Sequence, residues 1–166
     1  MSHLDFENKR YGGWGSPAEE AILKSLMGKY DADFSKVDFV NVGEADWFAT
    51  IGKEVDFTWI FYGWTGVEAE LRGVDINYID LAKEDSALDY YTPVIITNEQ
   101  MIKEDPDTIK AFMRAVSKGY EFCITNPVES GEILLKAAPE LDADLVKASQ
   151  EYLAKQYQAD AEQWGI

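Results

Sequence analysis

Short apolar runs alternate with helix-forming segments along the N-terminal part of the chain, and this alternation constrains the fold most strongly. The apolar runs have the length and residue content of β-strands, whereas the segments between them have the spacing of amphipathic helices. Because a strand, a helix and a further strand favour parallel pairing with a right-handed crossover, we predict an α/β fold with a mainly parallel sheet. The predicted strands are residues 9–14, 37–42, 55–61, 76–81 and 93–97.

The first predicted helix, residues 17–29, has the clearest local signals. Ser16 is suited to cap this helix, Pro17 to open it, and Glu19 to complete a capping box as the third helical residue. Its inner side is predicted to carry Ala18, Ala21, Ile22, Leu26 and Met27. Further helices are predicted at residues 45–53 and 64–73.

After residue 98 the pattern becomes helical throughout. A long amphipathic helix is predicted at residues 105–126, capped by Asp105 and opened by Pro106. Its apolar stripe is formed by Ile109, Phe112, Met113, Val116 and Tyr120. Two shorter helices are predicted at residues 127–138 and 142–157. We therefore expect three parts, which are a leader or linker at 1–8, an α/β part at 9–98 and a helical segment at 99–166.

Composition excludes several classes of function. The 31 acidic residues against 15 basic ones give a net charge of −16, which repels phosphate backbones, so nucleic acid is not an expected partner. The single cysteine, Cys123, rules out an internal disulfide and a thiolate metal cluster, and we expect it on the buried side of a helix. The single histidine, His3, lies in the leader, so catalysis by a histidine-activated nucleophile is not expected. We expect no cofactor and no metal.

Aromatic and glycine residues follow three of the predicted strands. Ligands of open parallel sheets bind beyond the carboxyl ends of the strands, so these positions are expected to converge on one rim. Flat aromatic faces there suit a planar heterocycle, whereas core packing is the alternative for the tryptophans. Phe57 and Trp59, inside a predicted strand, are expected in the core. The candidate ligand-binding residues are Trp14, Gly15, Ser16, Glu44, Tyr62, Trp64 and Glu68.

For Glu68 and for the turn around Trp14, the neighbouring residues decide which kind of ligand contact is expected. Glu68 follows Trp64 by four residues, so one helix face is expected to present both, and its carboxylate is suited to accept hydrogen bonds from an exocyclic amino group. A solvated helix glutamate is the alternative. The glycines around Trp14 resemble a phosphate-binding turn, but Glu19 and Glu20 already place negative charge in the first helical turn. A tight turn that lets a ligand approach the backbone is therefore favoured over a phosphate site.

Three segments together resemble a known family. The chain is similar to the second lobe and returning C-terminal helices of type 2 periplasmic solute-binding proteins, and most similar to the branch that binds thiamine pyrimidine precursors for ABC importers. The segment YGWTGVEAE is the part more specific to that branch. The resemblance covers nearly the whole chain and is carried by YGGWGSPAEEAILK (11–24), VDFTWIFYGWTGVEAELRGVDINYI (55–79) and YTPVIITNEQMIKEDPDTIKAFMRAVSKGYEF (91–122).

The resemblance implies a periplasmic-binding-protein-like lobe followed by C-terminal helices that belong with a first lobe. It implies an aminopyrimidine-like solute bound in a cleft between lobes, membrane subunits of an ABC importer as partners, and an extracytoplasmic location. Because such proteins begin with a first lobe that has no counterpart here, we expect a fragment whose residues 99–166 either mediate self-association or fold back onto its own sheet. The ligand-contact role of Tyr62, Trp64 and Glu68 is favoured by this resemblance.

Two alternatives stay open. A nitrate-, sulfonate- or taurine-type receptor shares this fold, but it needs a cationic or donor-rich rim, whereas the predicted rim is acidic and aromatic. A small hydrolase that uses two carboxylates is the second alternative, although no spacing selects a pair among Glu44, Asp46, Asp56 and Asp80. Eukaryotic relatives that synthesise the pyrimidine use a cysteine-rich motif and a histidine, which this chain does not carry. A binding protein is therefore the prediction.

Overall fold

The computed structural model describes residues 3–43, 45–89 and 92–165. The chain divides into two compact units. We call Met1–Ile60 with Ile76–Thr92 the sheet unit, and Phe61–Asp75 with Pro93–Ile166 the helical unit. The α-helices of the described residues are, in chain order, α1 (Pro17–Lys29), α2 (Trp47–Thr50), α3 (Val67–Leu71), α4 (Leu81–Glu84), α5 (Glu99–Glu104), α6 (Pro106–Thr125), α7 (Pro127–Ala137) and α8 (Ala143–Leu153).

The sheet unit contains a three-stranded parallel sheet. Its strands are β1 (Arg10–Gly13), β2 (Asp38–Asn41) and β3 (Phe57–Thr58), in the order β2-β1-β3. Tyr11 on the middle strand is in register with Phe39 on one side and Phe57 on the other. The predicted α/β class with parallel pairing is therefore confirmed, and the strands are shorter than the apolar runs that predicted them.

Two of the predicted strands do not form. Residues 76–80 have no regular structure and lead into α4, and residues 93–97 form no strand within the described part of the helical unit. Ile96 in the second segment is 85% exposed. The prediction was wrong because apolar, β-branched residues supply strand propensity but not the neighbouring strand that a ladder needs.

Helix α1 begins and ends as predicted. The Ser16 side chain accepts a hydrogen bond from the backbone N–H of Ala18, and the Glu19 carboxylate accepts one from the backbone N–H of Ser16, which confirms the capping box. The predicted inner side needs a correction, because Ala18 and Ala21 are exposed. The buried residues of α1 are Glu19, Leu23, Leu26 and Met27. The inner side is rotated relative to the predicted one, and it includes the glutamate.

The core of the sheet unit lies beneath α1. Leu26 and Met27 pack there with Phe6 and Ala32, and partly buried side chains of the neighbouring loops complete the cluster. The rings of Phe6 and Phe57 stack with their centroids 4.3 Å apart. Residues 1–8, which the sequence analysis sets apart as a leader, thus contribute a core residue.

The helical unit is built around α7 and α8. Leu145, Val146 and Ser149 of α8 are buried, and a Cβ on Gly131 of α7 would be in ordinary contact with Val146. The α6 helix begins at Pro106 and is capped by Asp105, as predicted. Its described residues include no fully buried side chain, and Phe112 of the predicted stripe is 55% exposed. Cys123 on this helix is half-buried rather than buried, and it is a free cysteine. Among the described helices, none is both long and apolar enough to span a lipid bilayer.

Candidate functional site

Trp14 lies at the carboxyl end of the middle strand, directly after Gly13. Its side chain is 46% exposed, so it is not a core residue. Its indole is 5.9 Å from that of Trp59, at an interplanar angle of 55°. Trp59 follows the adjacent strand β3 and is half-buried, although the sequence predicted it in the core. Two indoles therefore meet beyond the ends of neighbouring strands, and one of them is presented to solvent.

A buried carboxylate holds the turn that carries Trp14. Glu19 is 2% exposed and accepts a hydrogen bond from the Tyr11 hydroxyl at 2.8 Å and from the Ser16 N–H at 2.9 Å. The Trp14 N–H donates to both carboxylate oxygens at 3.3 Å. Burial and the hydrogen bond to Glu19 raise the pKa of the Tyr11 hydroxyl, so it remains a donor. Backbone on both sides of Gly15 is thus tied to a single side chain.

Gly13 and Gly15 are each required in the turn, for different physical reasons. A Cβ atom on Gly13 would lie 2.8 Å from Glu19 Oε1 and 2.8 Å from a Tyr11 ring carbon, so only glycine leaves room for the buried carboxylate. Gly15 has a φ of +82°, which favours glycine. The N–H groups that a phosphate would need are already donated to Glu19. The structure therefore supports a tight turn at this position and not a phosphate cradle.

The neighbouring strand β2 ends at Asn41. The side-chain oxygen of Asn41 accepts a hydrogen bond from the Gly43 N–H at 3.0 Å, and its amide nitrogen lies 3.4 Å from the position of a Cβ on Gly15. Glu44, a predicted ligand contact, lies outside the described residues. Asn41 was not among the residues predicted for the site, although its place as the last polar residue of a predicted strand was a usable signal.

Tyr62 and Trp64 belong to the helical unit and lie in a π-helix (Tyr62–Gly66) that runs directly into α3. The Trp64 side chain is 36% exposed. The Tyr62 hydroxyl donates to Glu70 at 2.5 Å, and its ring lies 5.4 Å from that of Tyr152. Single π-helical turns occur often at functional sites, since the wider turn re-aims side chains.

Glu68 has a cationic partner. Its carboxylate forms an ion pair with Arg72, four residues later on the same helix. The side chain of Glu68 is 20% exposed, and its role as a ligand contact stays a prediction. Glu70 is exposed and accepts the Tyr62 hydrogen bond. A ligand amino group that approached Glu68 would meet a carboxylate already oriented by Arg72.

Helix α8 supports the π-helix. The buried Ser149 hydroxyl donates to the Gly63 carbonyl at 2.5 Å. A Cβ on Gly63 would lie 2.6 Å from a methyl group of Leu153, so glycine is needed for this close approach. The sequence did not reveal this contact, because the two partners are separated by most of the helical unit.

The other acidic candidates are also engaged. Asp56 accepts hydrogen bonds from Arg10, which lower its pKa to about 2. Asp46 caps α2 by accepting the Ala49 N–H, and Asp80 pairs with Lys83 at 3.1 Å. Over the described residues, histidine, cysteine and acidic side chains form no group of three or more that could hold a metal ion.

The sheet unit is α/β, with three parallel strands and tryptophans just beyond the ends of two of them. Comparison with known proteins identifies the family, whose fold is periplasmic-binding-protein-like. Residues 2–130 match the model of the family described as NMT1/THI5 like. The chain belongs to the NMT1/THI5-like family, and the resemblance noted in its sequence is confirmed.

A curated relative is the formylaminopyrimidine-binding protein of Halalkalibacterium halodurans. It is 29% identical to this chain over 158 residues, which are 90% of the chain and 46% of the relative. The chain therefore spans about half the length of the relative that it matches.

Proposed function

We propose that this chain supplies part of the solute-binding site of an extracytoplasmic receptor that delivers an aminopyrimidine-type thiamine precursor to an ABC importer. The relative named for binding formylaminopyrimidine and the family membership support this solute class. Within the complete receptor, residues 9–98 would form the second lobe and residues 99–166 would belong with the first lobe. The membrane subunits of the importer would be its partners.

The exposed indole of Trp14 carries the proposal. The Trp14 side chain is 46% exposed, and the turn that carries it is tied to Glu19 through the N–H groups of Trp14 and Ser16. A planar ring is the ligand that such a surface recognises, because offset stacking adds about 0.5–1.5 kcal/mol beyond the area that is buried. Gly15 and Ser16 follow Trp14 directly in the sequence, and the backbone of Gly15 and the hydroxyl of Ser16 are the proposed polar contacts.

In the helical unit, Tyr62, Trp64 and Glu68 are the proposed contacts. Trp64 offers a second aromatic surface, and the oriented carboxylate of Glu68 suits the amino edge of a pyrimidine. Glu44 is proposed as a further acidic contact of the same kind. All of these residues are acceptors or aromatic rings, as an amino-substituted ring requires.

The same chemistry disfavours the two alternatives. A nitrate, sulfonate or taurine receptor needs free donors, but the N–H groups of Trp14 and Ser16 are donated to Glu19. A hydrolase with two carboxylates needs unengaged acids, but Asp46, Asp56 and Asp80 are engaged with backbone or cationic groups. These pairings support a binding role.

Fluorescence titration with formylaminopyrimidine tests the proposal. For the complete receptor that contains this chain, we expect saturable quenching of the unmodified protein and about tenfold weaker binding of the Trp14→Leu variant, because the stacking energy is lost. Phe112→Leu is the matched control, since it removes another exposed aromatic ring from α6. Equal affinities for the Trp14→Leu protein and the unmodified one would refute the role of the indole.

A further inference from the structure

Glu19 is the buried ionisable group that the proposed ligand contacts do not use. It lies in the first turn of α1, and its carboxylate accepts hydrogen bonds from three donors, namely the Tyr11 hydroxyl and the N–H groups of Trp14 and Ser16. Donors that converge at the start of a helix are the arrangement that proteins use to bind anions. Here the anion is a side chain of the chain itself.

The two backbone donors lie on either side of Gly15, whose φ is +82°. Tying both N–H groups to one carboxylate fixes the direction in which Trp14 leaves the backbone. The carboxylate lies on the inner side of the turn, next to the ring of Tyr11, so the indole is directed to the outer side, against Trp59. Removal of the carboxylate would free the donors and release the turn at the same time.

We propose that Glu19 is a positioning and specificity-determining residue. Its carboxylate occupies the hydrogen-bond donors that an anionic solute would need. It thereby excludes anions from the turn and orients the Trp14 indole to stack on an uncharged or cationic planar ring. The inference rests on the proposed function for the identity of the ligand, an aminopyrimidine. The binding of formate to the vacated donors and the geometry of the Trp14–Trp59 pair are measured without that ligand.

Chemical rescue with formate tests the proposal. In Glu19→Ala the far-UV exciton couplet of the Trp14–Trp59 pair should be lost, because the turn is no longer fixed. Formate should restore the couplet in a saturable manner by binding the vacated donors. Glu20→Ala is the matched control, since Glu20 is exposed in the same helical turn and its loss changes the net charge equally. A couplet that persists in Glu19→Ala, or one that formate does not restore in a folded variant, would overturn the proposal.

A second variant covers the case in which Glu19→Ala does not fold. Glu19→Gln keeps the volume and one acceptor, so it should fold with a weaker couplet. Because Glu19 acts on the ligand only through Trp14, this variant of the complete receptor should bind formylaminopyrimidine less tightly by up to about tenfold, the loss expected for removal of the indole itself. An unchanged couplet with unchanged affinity would overturn the proposal. If the unmodified protein binds no pyrimidine while formate rescue succeeds, the ligand assignment fails and the role of Glu19 in orienting the turn stands.

Discussion

Replacing Gly13 by alanine adds one methyl group at the most crowded point of the Trp14 turn. The new Cβ would lie 2.8 Å from both Glu19 Oε1 and a ring carbon of Tyr11, where ordinary contacts are at least 3.4 Å. Both neighbours are buried, with Tyr11 1% exposed and Glu19 2% exposed, so neither can rotate into solvent. The carboxylate must therefore move away from the strand, and its hydrogen bonds must lengthen.

The expected cost has three parts. Forcing a methyl group into a packed site costs about 1–3 kcal/mol. Weakening a hydrogen bond to a charged group costs about 1.5–3 kcal/mol when the bond is lost outright. The substitution also lowers the conformational entropy of the unfolded chain, which offsets about 0.4–1 kcal/mol. We therefore expect Gly13→Ala to lower the free energy of unfolding by about 2–4 kcal/mol.

Urea unfolding followed by circular dichroism measures this change as a shift in the midpoint at constant slope. Gly28→Ala is the control, because Gly28 lies in α1 and its added Cβ would meet nothing within 4 Å. That control should stabilise the protein by about 0.5–1 kcal/mol, since alanine is the better helix former. If Gly13→Ala were as stable as the unmodified protein, the tight packing of Glu19 against Gly13 would be refuted.

Three further predictions concern other contacts. Arg10 lowers the pKa of Asp56 from its ordinary value of 3.8 to about 2, so the ionised carboxylate stabilises the fold above that range. The unmodified protein should therefore be more stable than Asp56→Asn above pH 3.8. This stability difference should shrink in unfolding curves recorded as the pH falls from 3.8 to about 2. Ser149→Ala should lower the free energy of unfolding of the helical unit by about 1–3 kcal/mol, because the Gly63 carbonyl loses its partner, and hydrogen exchange of that unit reports it. Gly63→Ala should lower the free energy of unfolding by about 1–3 kcal/mol, because the new methyl group collides with Leu153. Adding Leu153→Ala to this variant should recover part of the lost stability in thermal denaturation. No recovery would contradict the contact.

Local signals predicted the parts of the fold that depend on local interactions. The bounds of α1 follow from Ser16, Pro17 and Glu19, which lie within one turn and satisfy one another. The start of α6 follows in the same way from Asp105 and Pro106. The apolar runs at 76–81 and 93–97 have the residues of strands, but a strand also needs a neighbour, which is set by tertiary structure.

In the candidate site, too, the features that depend on local interactions were predicted and those that depend on tertiary structure were not. The sequence identified Trp14 as a residue in a turn that needs only glycines, and the structure presents its indole to solvent. It identified Glu19 only as a capping residue, because the inward direction of its carboxylate depends on Tyr11 and on the space left by Gly13. The partners of Glu68 and Tyr62 were likewise missed, since i,i+4 spacing shows that Arg72 can reach Glu68 but not that it does.

Isothermal titration calorimetry of the complete receptor that contains this chain, with formylaminopyrimidine, taurine and nitrate, tests the central claim most directly. We expect saturable binding of the pyrimidine with a defined stoichiometry and no saturable heat from taurine or nitrate, because Glu19 already occupies the donors of the Trp14 turn. Saturable binding of taurine or nitrate in preference to the pyrimidine, or no binding of the pyrimidine at all, would contradict it.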